Sequence, residues 1–241
     1  MQFTDSHIHL QDYKTKNTQQ IISDLQQIGF SKIICVSSQY SDFIKVSQLT
    51  NLYSELIIPA FGFHPWYLSN IPDNWQNILK NFLTTHPNAI IGECGLDRIK
   101  NKDISLQSEI FKTHLDFARQ LNRPINIHLV HSEDIFSSFI SQLPKKFMFH
   151  SYSGSTSFLK YIIKHDAFIS INPTIFKRKN AMEIIQLIPL NRLLVESDAP
   201  YQNSYKDIPL LINKLSEIKN TTPTTLTDQI KNNFEEYTND R

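Results

Sequence analysis

The chain has 241 residues, 24 basic and 23 acidic, and a formal net charge of +1. That length suffices for one core and lies close to the roughly 250 residues of a single (β/α)8 barrel. The near-zero charge excludes a general electrostatic hold on nucleic acid, so a polynucleotide would need a local patch or the active site itself. The two cysteines, Cys35 and Cys94, form no CxxC pair, which argues against a disulfide framework or a zinc ribbon. The opening MQFTDSHIHL lacks the basic and apolar regions of a signal peptide, and no apolar run approaches the roughly 18 residues of a membrane span. The expected location is the cytoplasm.

In chain order, strands are predicted over Met1–His9, Lys32–Val36, Ile57–Phe63, Ala89–Gly92, Pro124–His128, Lys146–His150, Ala167–Ile171 and Leu193–Glu196. These short runs rich in Ile, Val and Phe suit buried parallel strands. Helices are predicted over Thr18–Gly29, with Gly29 as C-cap, and Ser105–Leu121, with Ser105 as N-cap. Further helices are predicted over Ser132–Leu143, Ser155–His165, Ala181–Ile188 and Leu226–Tyr237. Eight strand–helix alternations without hairpin signals predict an α/β (β/α)8 TIM-like barrel, one domain over residues 1–241. An open doubly wound sheet is the alternative, but no GxGxxG follows the first strand.

The polar residues fall in a pattern on this map. His7 and His9 end the first strand, and strand alternation lets both face one ion. His64 follows the third strand, Glu93 the fourth, and Asp198 the eighth, while His128 and His150 end the fifth and sixth. That is the end at which barrel enzymes build their sites. A single strand-end histidine is commonly only a packing or surface residue. Four histidines, a glutamate and an aspartate at one end are costly to bury without a partner, and a metal is the natural one. The predicted ligands are therefore His7, His9, Glu93, His128, His150 and Asp198. Four of the five glycines, Gly62, Gly92, Gly95 and Gly154, adjoin these motifs. His86, His114 and His165 read as surface or satisfied residues, His131 as a possible pocket residue, and Cys94 as packing.

The segments DSHIHL, GFHPW, IGECGLD, NIHLVHS, HSYSGS and LLVESDAP resemble, in order and spacing, the TatD-related metal-dependent hydrolases of the amidohydrolase superfamily. The resemblance runs from the first residues to about Pro200. It implies a barrel, metal-dependent deoxyribonuclease activity and two metal ions. By resemblance His7, His9, Glu93 and Asp198 hold one ion, and Glu93, His128 and His150 hold the second. It also implies that His64 contacts substrate phosphate and that Asp97 supports the site. The residues differ from the usual pattern at Arg98, at Leu129–Val130–His131, and in the short segment Tyr201–Pro209.

The chemistry is coherent on its own terms. Two divalent ions, Zn, Mn or Mg, could activate a water and stabilise a phosphodiester's leaving oxygen. Asp198 is the candidate base, Glu93 the bridge, and His64 a hydrogen-bond donor to a phosphate oxygen. The expected substrate is DNA, at single-stranded ends, with no membrane and no obligate protein partner. Lys177, Arg178 and Lys179 could grip phosphate, or could form a solvated face, and Trp66 and Tyr67 could stack a base or pack the loop. The alternatives are a hydrolase of a small amide, lactone or phosphoester and a catalytically silent interaction protein. Related barrels with small substrates often bridge their metals with a modified lysine after the fourth strand, where this chain has Glu93. A phosphoesterase of the polymerase-and-histidinol-phosphatase kind would need more histidines.

Overall fold

The structure is a computed structural model that describes residues 1–14 and 17–238. Eight strands form one sheet in sequence order, every neighbouring pair parallel. They are β1 (Phe3–Ile8), β2 (Phe30–Val36), β3 (Ile57–Phe61), β4 (Ile90–Asp97), β5 (Ile125–Val130), β6 (Phe147–Phe149), β7 (Phe168–Ile171) and β8 (Leu193–Val195). The ring is completed just beyond β8. Asp198 N donates to His7 O at 2.9 Å, and His9 N donates to Ala199 O at 2.8 Å. Below them Asp5 Oδ1 accepts from Ser197 N at 3.0 Å, and its Oδ2 accepts from Ser197 Oγ at 2.6 Å. The predicted barrel is therefore the observed one.

The helices are α1 (Thr18–Ile28), α2 (Tyr40–Leu52), α3 (Trp75–Thr85), α4 (Ile104–Gln120), α5 (Glu133–Phe136), α6 (Thr156–Ile163), α7 (Ala181–Leu187), α8 (Ile208–Ile218) and α9 (Pro223–Thr238). α1 starts where Asn17 accepts from Gln19 N and stops at Gly29, whose φ of 101° and bonds to Leu25 O and Gln26 O make the left-handed cap expected there. It buries Ile21, Ile22 and Leu25 against the barrel. Two helical expectations are corrected, and three further helices lie where none is predicted. α4 is capped by Asp103, which accepts from Leu106 N at 2.9 Å, and not by Ser105. The run from Ser132 to Leu143 is only one α-turn, continued as 3-10 helix over Ser137–Gln142. α2 and α3 lie in stretches without a predicted helix. α8 begins inside the segment read as loop, because Pro209 occupies the first turn, where its missing N–H costs no hydrogen bond.

Alternate residues Ile34 and Val36, Ile58 and Ala60, with Ile90, Met148, Phe168 and Leu194, fill the barrel interior. Phe234 and Tyr237 of α9 join them, and Asn233 of the same helix donates to Leu190 O and Leu193 O. α9 thus seals the N-terminal end of the barrel. The opposite end stays open, and the polar residues collect there. Among the described residues no helix is long and apolar enough to cross a membrane.

Candidate metal centre

β4 explains how a glutamate reaches the centre of the barrel mouth. The sequence suggested that strand four stops at Gly92, but it runs on to Asp97, so Glu93 lies inside it. Its pairing with β5 shifts register between Ile91 and Cys94, and such irregularities re-aim side chains. Gly95 has a φ of +148° and pairs with His128, and a Cβ there would stand 1.9 Å from the His128 carbonyl oxygen. Only glycine lets the two strands approach so closely. β5 likewise continues past His128 to Val130. Cys94 is fully buried in the apolar core, as its parity predicted.

The six predicted ligands converge. His7 Nε2 and His9 Nε2 are 3.0 Å apart, and His128 Nδ1 and His150 Nε2 are also 3.0 Å apart. Glu93 lies between the pairs with one oxygen toward each. Its Oε2 is 3.3 Å from His7 and 3.7 Å from His9, and its Oε1 is 2.9 Å from His128 and 2.8 Å from His150. Asp198 Oδ1 is 3.5 Å from His9 Nε2 and 3.9 Å from His7 Nε2. All six side chains are buried.

The outer edge of each imidazole explains its orientation. His9 Nδ1 donates to Val36 O at 2.9 Å, and His128 Nε2 is 3.1 Å from Asp97 Oδ2. His150 Nδ1 is 3.4 Å from Glu196 Oε1, and His7 Nδ1 is 3.0 Å from the Asn126 amide. The amide atom placed against the ring is Asn126 Nδ2, while its Oδ1 is buried without a hydrogen-bond partner, and turning the amide over would let that oxygen accept from His7 Nδ1 and leave the Nε2 lone pair free. Each ring thus has one nitrogen backed by a neighbour and the other turned inward, the pattern that fixes metal-binding histidines. Two nitrogens on a tetrahedral zinc with bonds of about 2.0–2.1 Å are about 3.3 Å apart. The observed pairs come close to that span, and a lone-pair cluster of this kind fits divalent ions.

His64 belongs to the same cluster but differs in its proton. Its Nε2 is 3.1 Å from Glu93 Oε1 and 3.2 Å from His128 Nδ1. Trp66 N donates to its Nδ1 at 3.0 Å, so the neutral ring carries its hydrogen on Nε2. Burial keeps it neutral, pushing its pKa down to about 4. Burial works against ionised Glu93, yet the surrounding His64, His150 and His7 imidazoles and a hydrogen bond from His128 hold it well below the usual carboxylate range. Burial also opposes charge on His150, which Glu93 and Glu196 nonetheless carry well above the ordinary imidazole range. Asp198 is likewise held low against its burial by a hydrogen bond from His9 and the charges of His7 and His150.

A cleft of about 650 Å³ opens above these groups. Trp66, Tyr67, Ile99, Leu129 and Val130 line one side, and Ser151, Asn172, Thr174 and Arg178 the other. Trp66 is 45% exposed, and its Nε1 donates to Asp97 Oδ2 at 2.5 Å, so Asp97 ties the rim to His128. His131 lines the cleft in a left-handed conformation, φ 50°. Arg98 is held at the rim by Asp134, at 2.8 and 3.0 Å. His86 and His114 are satisfied away from the site, by Ser47 and Phe82 O and by Ile110 O and Phe63 N. His165 rests edge-on against Tyr161.

Sequence reasoning missed Asp5, Asn126, Glu196 and Gln202. Parity was the available signal for two of them, since Asn126 alternates with His128 and Glu196 with Asp198. Gln202 Nε2 donates to Asp198 Oδ2 at 2.6 Å.

A family model described as TatD related DNase matches residues 4–239. The chain belongs to this family. An uncharacterised metal-dependent hydrolase from Haemophilus influenzae is 28% identical over 83% of this TatD-related chain and 82% of its own. The deoxyribonuclease Tat-D of Schizosaccharomyces pombe is 30% identical over 75% of this chain and 63% of its own. The crystal structure of a TatD homologue from Escherichia coli superposes with a TM-score of 0.89 over 99% of this chain and 98% of that one, at 23% identity, and so shares the fold.

Proposed function

We propose that this TatD-related protein is a metal-dependent deoxyribonuclease that hydrolyses phosphodiesters at the Glu93 cluster. The observation that carries the reading is Glu93 itself, with one carboxylate oxygen toward His7 and His9 and the other toward His128 and His150. That arrangement supports two ions, one held by His7, His9, Glu93 and Asp198 and the other by Glu93, His128 and His150. The mixed imidazole and carboxylate set suits Zn or Mn, and admits Mg. Divalent ions in such a pair supply the charge that acidifies a water and neutralises phosphate oxygens.

The chain's own residues do the rest. Asp198, ionised and oriented by Gln202, takes the proton of the attacking water. The water oxygen bonds to phosphorus, the bond from phosphorus to the leaving sugar oxygen breaks, and that oxygen takes up a proton from solvent while Asp198 later returns its own to solvent. His64 donates its Nε2 hydrogen to a phosphate oxygen in place of Glu93, a role that its neutral state and Nδ1 contact support. Trp66 offers an exposed face for an unpaired base, which supports action on single-stranded ends. Both cysteines are buried and unpaired, in keeping with a reducing compartment such as the cytoplasm.

The test is hydrolysis of end-labelled single-stranded DNA by the purified protein with Mg²⁺, Mn²⁺ or Zn²⁺, beside duplex DNA and a panel of small amides, lactones and phosphoesters. Cleavage that Asp198→Asn abolishes without loss of fold is expected. Inert DNA together with turnover of a small substrate would overturn the nuclease reading.

A further inference from the structure

Among the described residues two lysine or arginine side chains line the cleft, Lys100 and Arg178. Of the basic run 177–179, Arg178 alone turns to the cleft, while Lys177 and Lys179 are exposed beside it. Arg178 Nη2 donates to Gly154 O at 2.8 Å, and its buried Nη1 has no hydrogen-bond partner. A buried donor left unpaired is costly, and a short turn about the pinned Nη2 would present Nη1 to an arriving oxyanion. Lys100 lies over the Trp66 ring, 5.4 Å from its centroid, and is open to solvent. Among the described residues neither cation is within ion-pairing distance of a carboxylate. Arg98, by contrast, is neutralised by Asp134.

Their places in the barrel matter as much as their charge. Lys100 follows β4 and Arg178 follows β7, three strands apart in a ring of eight and so nearly opposite across the mouth. The Glu93 cluster lies between them. Ser151, Asn172 and Thr174 line the Arg178 side with polar atoms, and Trp66 and Ile99 line the Lys100 side with apolar surface. A small lactone or amide has no use for two separated, unneutralised cations. A strand whose charge repeats along its length does.

We infer that Lys100 and Arg178 are two phosphate subsites on either side of the metal centre, so that the substrate strand crosses the mouth between them. The inference rests on the nuclease reading for the kind of substrate. It goes beyond that reading by requiring at least one phosphate on each side of the scissile one, with a base on Trp66. The preferred substrate is then an oligonucleotide of several phosphates, and a lone phosphodiester is a poor one.

The experiment measures binding of fluorescein-labelled (dT)8 across a salt series, in the Asp198→Asn background with Mn²⁺ so that no strand is cut. Each phosphate contact to a single strand contributes about 0.7 to the slope of log affinity against log salt. Arg178→Gln and Lys100→Gln should each reduce the slope by about 0.7, and the pair by about 1.4, while Arg178→Lys and Lys100→Arg should restore it. In the otherwise wild-type protein, the double variant should lower the preference for a short oligonucleotide over bis(p-nitrophenyl) phosphate about tenfold or more. Unchanged slopes, or no binding of (dT)8 at any salt, would overturn the proposal even if the protein cuts DNA. Reduced slopes in a protein that cuts nothing would sustain the subsites and overturn the nuclease reading instead.

Discussion

Glu196 Oε1 stands 3.4 Å from His150 Nδ1, and almost none of either side chain reaches solvent. The carboxylate is fixed from the far side by Ser151 N, which donates to it at 2.7 Å. A buried anion there places the ring proton on Nδ1 and turns the Nε2 lone pair toward Glu93. Glu196→Gln keeps the shape and removes the charge. It is expected to weaken ion binding about 10–100-fold, as losing such a partner commonly does, and competition with a chelator measures it. Unaltered affinity would show that His150 needs no carboxylate behind it.

The different protons of His64 and the other imidazoles separate two roles. His64→Ala should keep the wild-type metal content and lose about 10²-fold in kcat, the scale of a lost donor to developing charge. Glu93→Ala should lose an ion as well as activity. Elemental analysis of the two variants beside their turnover rates decides between a donor and a ligand. A His64 variant with depleted metal would contradict the donor role.

Gly95 is the point where packing and chemistry meet. Its φ of +148° and the 1.9 Å approach of a built Cβ to the His128 carbonyl leave no room for alanine. Gly95→Ala should destabilise the fold by about 2–4 kcal/mol, through backbone strain and displaced strands, and should depress activity with it. Urea denaturation reads the first effect, and a stability equal to wild type would show that β4 and β5 can separate at no cost.

His114 gives a pH dependence away from the candidate metal centre. It is fully buried, stacked on Trp75 with centroids 5.4 Å apart, and its Nε2 accepts from Phe63 N at 3.2 Å. Burial pushes its pKa from 6.5 down to about 4, so the unfolded chain binds the proton more readily. Its contribution to stability is therefore present above pH 6.5 and lost as pH falls from there toward 4. Between pH 7 and 5 the loss should be about 2 kcal/mol, as an order of magnitude. Urea titrations at the two pH values check it, and His114→Gln should flatten the difference. An equally steep loss in that variant would assign it to other groups.

The alternating strands and the candidate ligands were legible because both depend on local pattern. β2 and β3 are apolar runs between polar stretches, and His7, His9, Glu93, His128, His150 and Asp198 end or follow such runs. The missed helices show the limit of that pattern. α2 buries Asp42, which closes a capping box with Gln39, so polar residues stand where periodicity looks for apolar ones. α8 starts at Ile208 with Pro209 in its first turn, where the sequence pattern gives no helix.

The sequence by itself determined that eight buried strands alternate with amphipathic helices and that imidazoles and carboxylates gather at one end of them. Those are consequences of hydrophobic period and of residue type, which act over a few positions. Only the tertiary structure decided which nitrogen of each ring faces inward, because the deciding partners Val36, Asn126, Asp97 and Glu196 come from other strands or from far along the chain. It also decided that Glu93 points one oxygen at each histidine pair, through a register shift between β4 and β5 that no local pattern encodes. Proton positions and carboxylate directions are set by contacts across the barrel, and those contacts exist only once the ring of strands has closed.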